Sequence, residues 1–196
     1  MKELVNFYKK EYKLEEFDYY YKKLAHAGRI KSKNEMFIRR LLQVELVEEL
    51  RFKIIDILFK KYISMSENAF SSELYMNKDQ LKHMLRSGHH IGNHGNNHYW
   101  WNTLNKEELN QEIEISLDFL EELGVDMENW TACYPYGSYD EQSIKMLEEK
   151  GCKLAITTKL DIATTNKNTR FIMPRLDTND LPKDQSAETN DWYDKG

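Results

Sequence analysis

Apolar residues recur three and four apart through the first third of the chain. Leu4, Val5, Phe7, Tyr8 and Tyr12 mark one helix, and Phe17, Tyr20, Tyr21 and Leu24 mark a second within 14–27, with Gly28 offering a stop. A third helix is expected over 35–43 from Met36, Phe37, Leu41 and Leu42. A fourth, over 47–63, carries Leu50, Ile54, Ile55, Leu58 and Phe59. Each has an apolar stripe and a charged back, so 1–64 reads as a helical subdomain whose aromatic and methionine stripes are core. It carries no catalytic signal.

From Ser66 the pattern changes to strands and helices in alternation. Asn77 can cap a helix over 78–87 that turns Leu81, Met84 and Leu85 inward and stops at Gly88. A short strand is expected to open the histidine-rich stretch that follows. Asn105 then caps a long helix over 106–123, with Leu109, Ile113, Leu117 and Leu120 on one face and Gly124 behind it. A strand over 130–134 leads through Pro135-Tyr136-Gly137 into a helix over 140–150, and Gly151 precedes a third strand over 153–158. The order is βαβαβ, which favours parallel strands joined by right-handed crossovers. In such α/β folds the site lies at the carboxyl ends of the strands, where His94, His98, the Pro135 turn and the residues after Thr158 would fall.

Composition narrows the partners. At 196 residues, 40% hydrophobic and 12% aromatic, the chain can bury an ordinary core in one or two domains. The formal net charge is −5 and no Lys/Arg run exceeds two residues, so nucleic acid is not an expected partner. No stretch approaches the roughly 20 apolar residues of a membrane span. The first residues form a charged amphipathic segment and not a signal peptide, which points to the cytoplasm. Cys133 and Cys152 stand apart without a CxxC pattern and suit buried, reduced thiols.

Candidate chemistry concentrates in 88–101, which holds four of the six histidines. His94 and His98 are four apart, a spacing that sets two imidazoles on one side of a turn where both can reach one divalent ion. The same spacing also occurs as plain polar surface, and Pro135-Tyr136-Gly137 also occurs as an ordinary strand-to-helix turn. His89 and His90 are expected to satisfy local hydrogen bonds, with His26 and His83 on helix surfaces. Tyr99, Trp100 and Trp101 fit core packing better than a sugar platform, and only one of the two tryptophans is expected to face the site.

The run Gly88-His89-His90-Ile91-Gly92-Asn93-His94-Gly95-Asn96-Asn97-His98 resembles the second motif of the polysaccharide deacetylases, the NodB-homology carbohydrate esterases. Ala132-Cys133-Tyr134-Pro135-Tyr136-Gly137 resembles their third motif. The segment 173–180 is similar to the tail of one branch of that family, and the resemblance covers about 75–182. It implies an α/β fold, a partial deformed (β/α) barrel preceded by a helical subdomain, with domains at 1–64 and 65–182 and a polar tail at 183–196. It also implies a divalent ion, commonly zinc, held by His94 and His98, and an N-acetylated sugar or glycan as substrate. Pro135, Tyr136 and Gly137 would bind that substrate, with the Tyr136 backbone N–H facing the oxyanion of the tetrahedral intermediate. The reaction implied is removal of N-acetyl groups from a polysaccharide or glycan intermediate. The alternative is a non-catalytic remnant that binds glycan or a partner.

Departures from the family pattern are specific. The first motif, a strand ending in an Asp-Asp pair that supplies the base and a third metal ligand, is absent, and no histidine follows His98. Cys133 stands where an arginine is usual, and Gly95 where Ser/Thr is usual. The expectation is therefore that Met1 is an internal methionine, that the chain begins inside an insertion, and that it is inactive alone. Asp161, Asp177 and Asp180 are the candidates for a surrogate ligand, although turn capping is their simpler role.

Overall fold

The computed structural model describes residues 1–28, 31–164, 166–167, 169–186 and 192, and its contacts fall into two compact units, Met1–Tyr75 and Met76–Gly196. Residues 187–191 and 193–196 of the polar tail lie outside the described residues.

The first unit is helical. It contains α1 (Lys2–Tyr8), α2 (Phe17–Leu24), α3 (Lys33–Arg40), α4 (Glu48–Tyr62) and α5 (Glu67–Leu74). Its core is apolar, built from Val5, Tyr20, Leu24, Phe37, Leu41, Leu46, Leu50 and Ile54. The first two helices are shorter than their apolar spacing predicts, because Lys13 takes a positive φ of 52° between them and α2 ends at Ala25 before Gly28 is reached. Arg40 donates to the carbonyls of Leu24 and His26 at 2.8 and 2.9 Å, satisfying acceptors left open where α2 ends. Beyond α3 the chain widens into a π-helical turn, Leu41–Glu45, closed by the Leu46 amide on the Leu41 carbonyl at 3.0 Å. The helix α5 was not expected. Ser66 caps it by accepting from the Ala69 amide, a local signal that its weak apolar stripe hides.

The second unit follows the alternating pattern more closely. Helices α6 (Lys78–Arg86), α7 (Lys106–Leu123) and α8 (Glu141–Glu149) begin at Asn77, Asn105 and Asp140, each with a reciprocal capping box. Strand β1 (Ala132–Cys133) pairs in parallel with β2 (Ala155–Ile156). Asn93 bridges Ala132 on one side and Met173 bridges Ile156 on the other, both in parallel sense. Four successive segments of chain therefore run side by side in one direction.

The strands are shorter than the apolar runs over 130–134 and 153–158 predict. Ladder hydrogen bonds extend past them, from Lys153 to the Trp130 carbonyl and from Tyr134 to the Ile156 carbonyl. Pro135 has no N–H and ends the first run. The strand expected before the histidines is a single bridge at Asn93, because the Asn93 side chain accepts from the Gly95 amide at 2.9 Å and turns the chain at once. The row at Met173 was not expected. Trp101, Leu109, Ile113, Trp130, Tyr134, Leu147 and Phe171 fill the core beside the sheet.

Candidate metal centre

The turn after Asn93 carries His94 and His98, and the turn after β1 carries Pro135, Tyr136 and Gly137. Both turns leave the carboxyl ends of neighbouring parallel segments, so the sheet register brings them together. Nε2 of His94 lies 3.1 Å from Nε2 of His98, with the rings nearly perpendicular. Nδ1 of His94 lies 2.6 Å from the Cys133 carbonyl oxygen, which can only accept, so this nitrogen carries the proton and Nε2 presents a lone pair. In the metal-free pair His98 Nε2–H is then the donor to His94.

Two nitrogens each about 2.05 Å from one zinc ion, and separated as these are, subtend about 98° at it, within reach of tetrahedral coordination. The Cys133 carbonyl supplies the outer hydrogen bond that fixes ring orientation in metal-binding histidines. Partial burial, and then the charge of His94, pull the His98 imidazole below its ordinary value, which favours the neutral form a metal requires. The donor set fits two of the ligands of a divalent ion. Among the described residues no group of three His, Cys, Asp or Glu gathers here. The carboxylate of Asp177 accepts from the Asn179 amide and that of Asp180 from the Asp177 amide, so both cap the turn Thr178–Asp180. Asp161 accepts from the Ile162 amide and pairs with Lys159 at 3.5 Å.

The second turn closes over the first. Tyr136 adopts φ 58°, ψ 7°, a left-handed conformation unusual for a residue with a Cβ, and His98 has φ 60°. Such residues cost on the order of 1–3 kcal/mol and persist where the surroundings hold them. The Gly137 amide donates to Tyr134 and the Ser138 amide to Pro135, leaving the Tyr136 N–H outside the turn's own bonds. Gly137, at φ 71°, crosses so close to Thr158 that a Cβ there would lie 2.1 Å from its Oγ1. The Tyr136 ring meets His98 edge-on at 4.5 Å and stacks on Trp100 at 4.6 Å. Trp101 is fully buried in the core, so the adjacent tryptophans separate into one beside the histidines and one beneath them. His90 bonds Thr131 at 2.8 Å, and His26 approaches the Lys23 carbonyl.

A family model for polysaccharide deacetylases matches residues 47–155, more than half of the chain. The chain belongs to the polysaccharide deacetylase family. The match takes in α4 and α5 as well as the histidine turn and the Pro135 turn. Two solved structures are similar. The Streptococcus pyogenes deacetylase PplD in complex with acetate is 22% identical, over 61% of this chain and 48% of that one, with a TM-score of 0.47. IcaB from Ammonifex degensii is 23% identical, over 42% and 40%, with a TM-score of 0.37. The chain spans less than half the length of either. No curated protein matches it.

Reading the sequence alone missed the polar groups beneath the two turns. Glu112, only 3% exposed, accepts from the Asn96 and Asn97 amides and from the Asn97 side chain, and Asn93, 1% exposed, donates to the Ile113 carbonyl. Ser138 is hydrogen-bonded to Asn102 and ties the tryptophan turn to the Pro135 turn. One signal was available for Glu112: it follows Leu109 by three positions and precedes Ile113, so a carboxylate falls on the inward stripe of α7.

Proposed function

We propose that this chain carries the metal-binding and oxyanion-holding part of a metal-dependent hydrolase that removes N-acetyl groups from a polysaccharide or glycan. The observation that carries the reading is the convergence of His94 and His98, Nε2 to Nε2 at 3.1 Å, with Tyr136 against them. His94 and His98 would hold a divalent ion, most simply zinc. When bound, that ion polarises the amide carbonyl and lowers the pKa of a coordinated water. Pro135 and Gly137 hold the turn so that the Tyr136 N–H can donate to the carbonyl oxygen as it gains charge. Removing one such donor in other hydrolases costs about 3 kcal/mol of transition-state stabilisation. Trp100, stacked on Tyr136, places a second aromatic ring beside the histidines, a residue type suited to packing on a sugar ring.

The parallel rows at Asn93, β1, β2 and Met173 fit consecutive strands of a partial deformed barrel over 65–182. Residues 1–64 fit a helical subdomain without chemistry. Among the described residues no helix is long and apolar enough to cross a membrane. The free thiols Cys133 and Cys152 suit a reducing compartment, and they alone support a cytoplasmic reading.

A second reading, a glycan- or partner-binding remnant, is favoured by one observation: no third ligand gathers at the histidines among the described residues. Zinc titration of the wild type, His94→Ala and His98→Ala separates the two. The metal reading expects weak zinc binding in the wild type, lost in both variants, since catalytic zinc normally has three protein ligands. Equal affinity in all three proteins would sink it, and retained binding of N-acetylglucosamine oligomers without zinc would favour the second. Acetate release by this chain should stay near background, because a positioned acid/base contributes about 10²- to 10⁴-fold and no Asp or Glu joins the two histidines in a cluster among the described residues.

A further inference from the structure

The turn that carries both histidines rests on one buried carboxylate. Oε2 of Glu112 accepts the backbone N–H of Asn96 at 3.1 Å and of Asn97 at 2.9 Å, and Oε1 accepts the Asn97 side-chain amide at 2.6 Å. Glu112 is 3% exposed. A buried carboxylate is costly unless its lone pairs are filled, and charge-assisted bonds to N–H groups are among the stronger ways to fill them. Here every one of those N–H groups lies between His94 and His98.

Gly95 makes the approach possible. At φ 75° a Cβ there would stand 3.1 Å from Glu112 Oε2 and 3.1 Å from Trp101 Nε1, so the carboxylate occupies space that a larger residue would claim. The neighbouring Asn93 fastens the start of the turn through the Gly95 amide and the Ile113 carbonyl. Two adjacent positions of α7 therefore strap a six-residue turn to a helix, and His98, at φ 60°, needs that restraint to remain where it is.

We infer that Glu112 is a positioning residue whose buried carboxylate, bonded to the Asn96 and Asn97 amides, sets the turn so that the His94 and His98 rings converge. The carboxylate's hydrogen bonds go to Asn96 and Asn97 and to neither ring, so it sets the ring positions through the backbone. Its consequence for metal affinity rests on the metal reading proposed above. The convergence of the rings does not.

The test uses the full chain and two variants. Glu112→Gln keeps the shape but removes the charge and leaves one acceptor oxygen in place of two, so the backbone N–H groups lose their charge-assisted bonds and the Asn97 side chain must turn over to meet the new NH2 group. Asn97→Asp with Glu112→Gln exchanges carboxylate and amide and restores complementary partners. In the metal-free wild type, NMR should show a cross-peak between the two imidazoles and slow exchange of the Asn96 and Asn97 amides. Glu112→Gln should lose the cross-peak and speed exchange of those two amides at least about tenfold, with the Cys133 amide of β1 unchanged, and the double variant should recover both signals in part. Cobalt titration adds a metal readout, in which Glu112→Gln weakens binding about 10- to 100-fold, as outer-shell changes do. A cross-peak and amide protection unchanged in Glu112→Gln would overturn the inference. Loss of the fold in both variants would also overturn it, by showing a core-stability group instead. A wild type that binds no cobalt would remove only the metal reading, and the imidazole cross-peak would still decide the role of Glu112.

Discussion

The two units bury different kinds of residue. Every fully buried side chain described in Met1–Tyr75 belongs to the apolar cluster around Leu41, Leu50 and Ile54, whereas the buried polar side chains Asn93, Glu112, Ser138, Ser143 and Thr157 all lie in the second unit. Three of those five touch the turns that carry His94, His98 and Tyr136. Apolar burial is non-directional and tolerant of small shifts, while a buried polar group demands partners at set distances and angles. The first unit is built for cohesion. The second accepts the desolvation cost of polar burial where two short turns must hold unusual backbone angles.

That contrast breaks first at its largest effect. Leu50, fully buried in the first unit, should cost about 2–5 kcal/mol when replaced by alanine, read as a lower urea midpoint. Zinc affinity at the histidine pair should not change. A zinc affinity that falls in step with stability would show that the apolar unit also shapes the site.

A smaller effect sharpens it. Gly137→Ala meets both a positive φ and the Thr158 side chain, and should cost about 1–3 kcal/mol. Gly88→Ala, at φ 84° with nothing within 4 Å of the added Cβ, isolates the backbone part and should cost less. Equal losses in the two variants would mean that the approach of the Pro135 turn to Thr158 is not a constraint.

The smallest effect is alkaline. Burial pushes the Cys152 thiol up to about 12 from 9.0, and burial also raises the Tyr134 phenol, whose hydroxyl donates to the Phe171 carbonyl. A pKa raised by folding gives stability that is complete below the unfolded value and is lost as pH rises toward the folded one. The second unit should therefore weaken between pH 9 and 12, by about 1 kcal/mol at pH 10 for a thiol that ionises near 9 when unfolded. Thermal melts at pH 8 and 10 should differ less in Cys152→Ala than in the wild type. An unchanged difference would place the titration elsewhere.

Much of the scaffold was legible because its signals are local. Asn77, Asn105 and Asp140 begin their helices, and Gly88, Gly124 and Gly151 follow the ends at positive φ, each through interactions within a few residues. The closeness of the His94 and His98 rings was legible for the same reason, as was the separation of Trp100, stacked on Tyr136, from Trp101 in the core. The strand lengths were not. An apolar run marks what will be buried, while ladder length depends on which neighbours supply partners, and here Pro135 and the turn at Gly95 cut the pairing short.

Sequence alone determined helices α6, α7 and α8 with their caps and glycine stops, and the two motifs, since each rests on residues near one another along the chain. Tertiary structure alone decided that Cys133, through its carbonyl and not its thiol, orients His94 across 39 positions. It also decided that Glu112 on α7 accepts from the backbone between the histidines. The physical reason is common to both. A hydrogen bond is satisfied by whichever group arrives at the right distance and angle, and residues far apart in sequence acquire that geometry only when the fold brings them together.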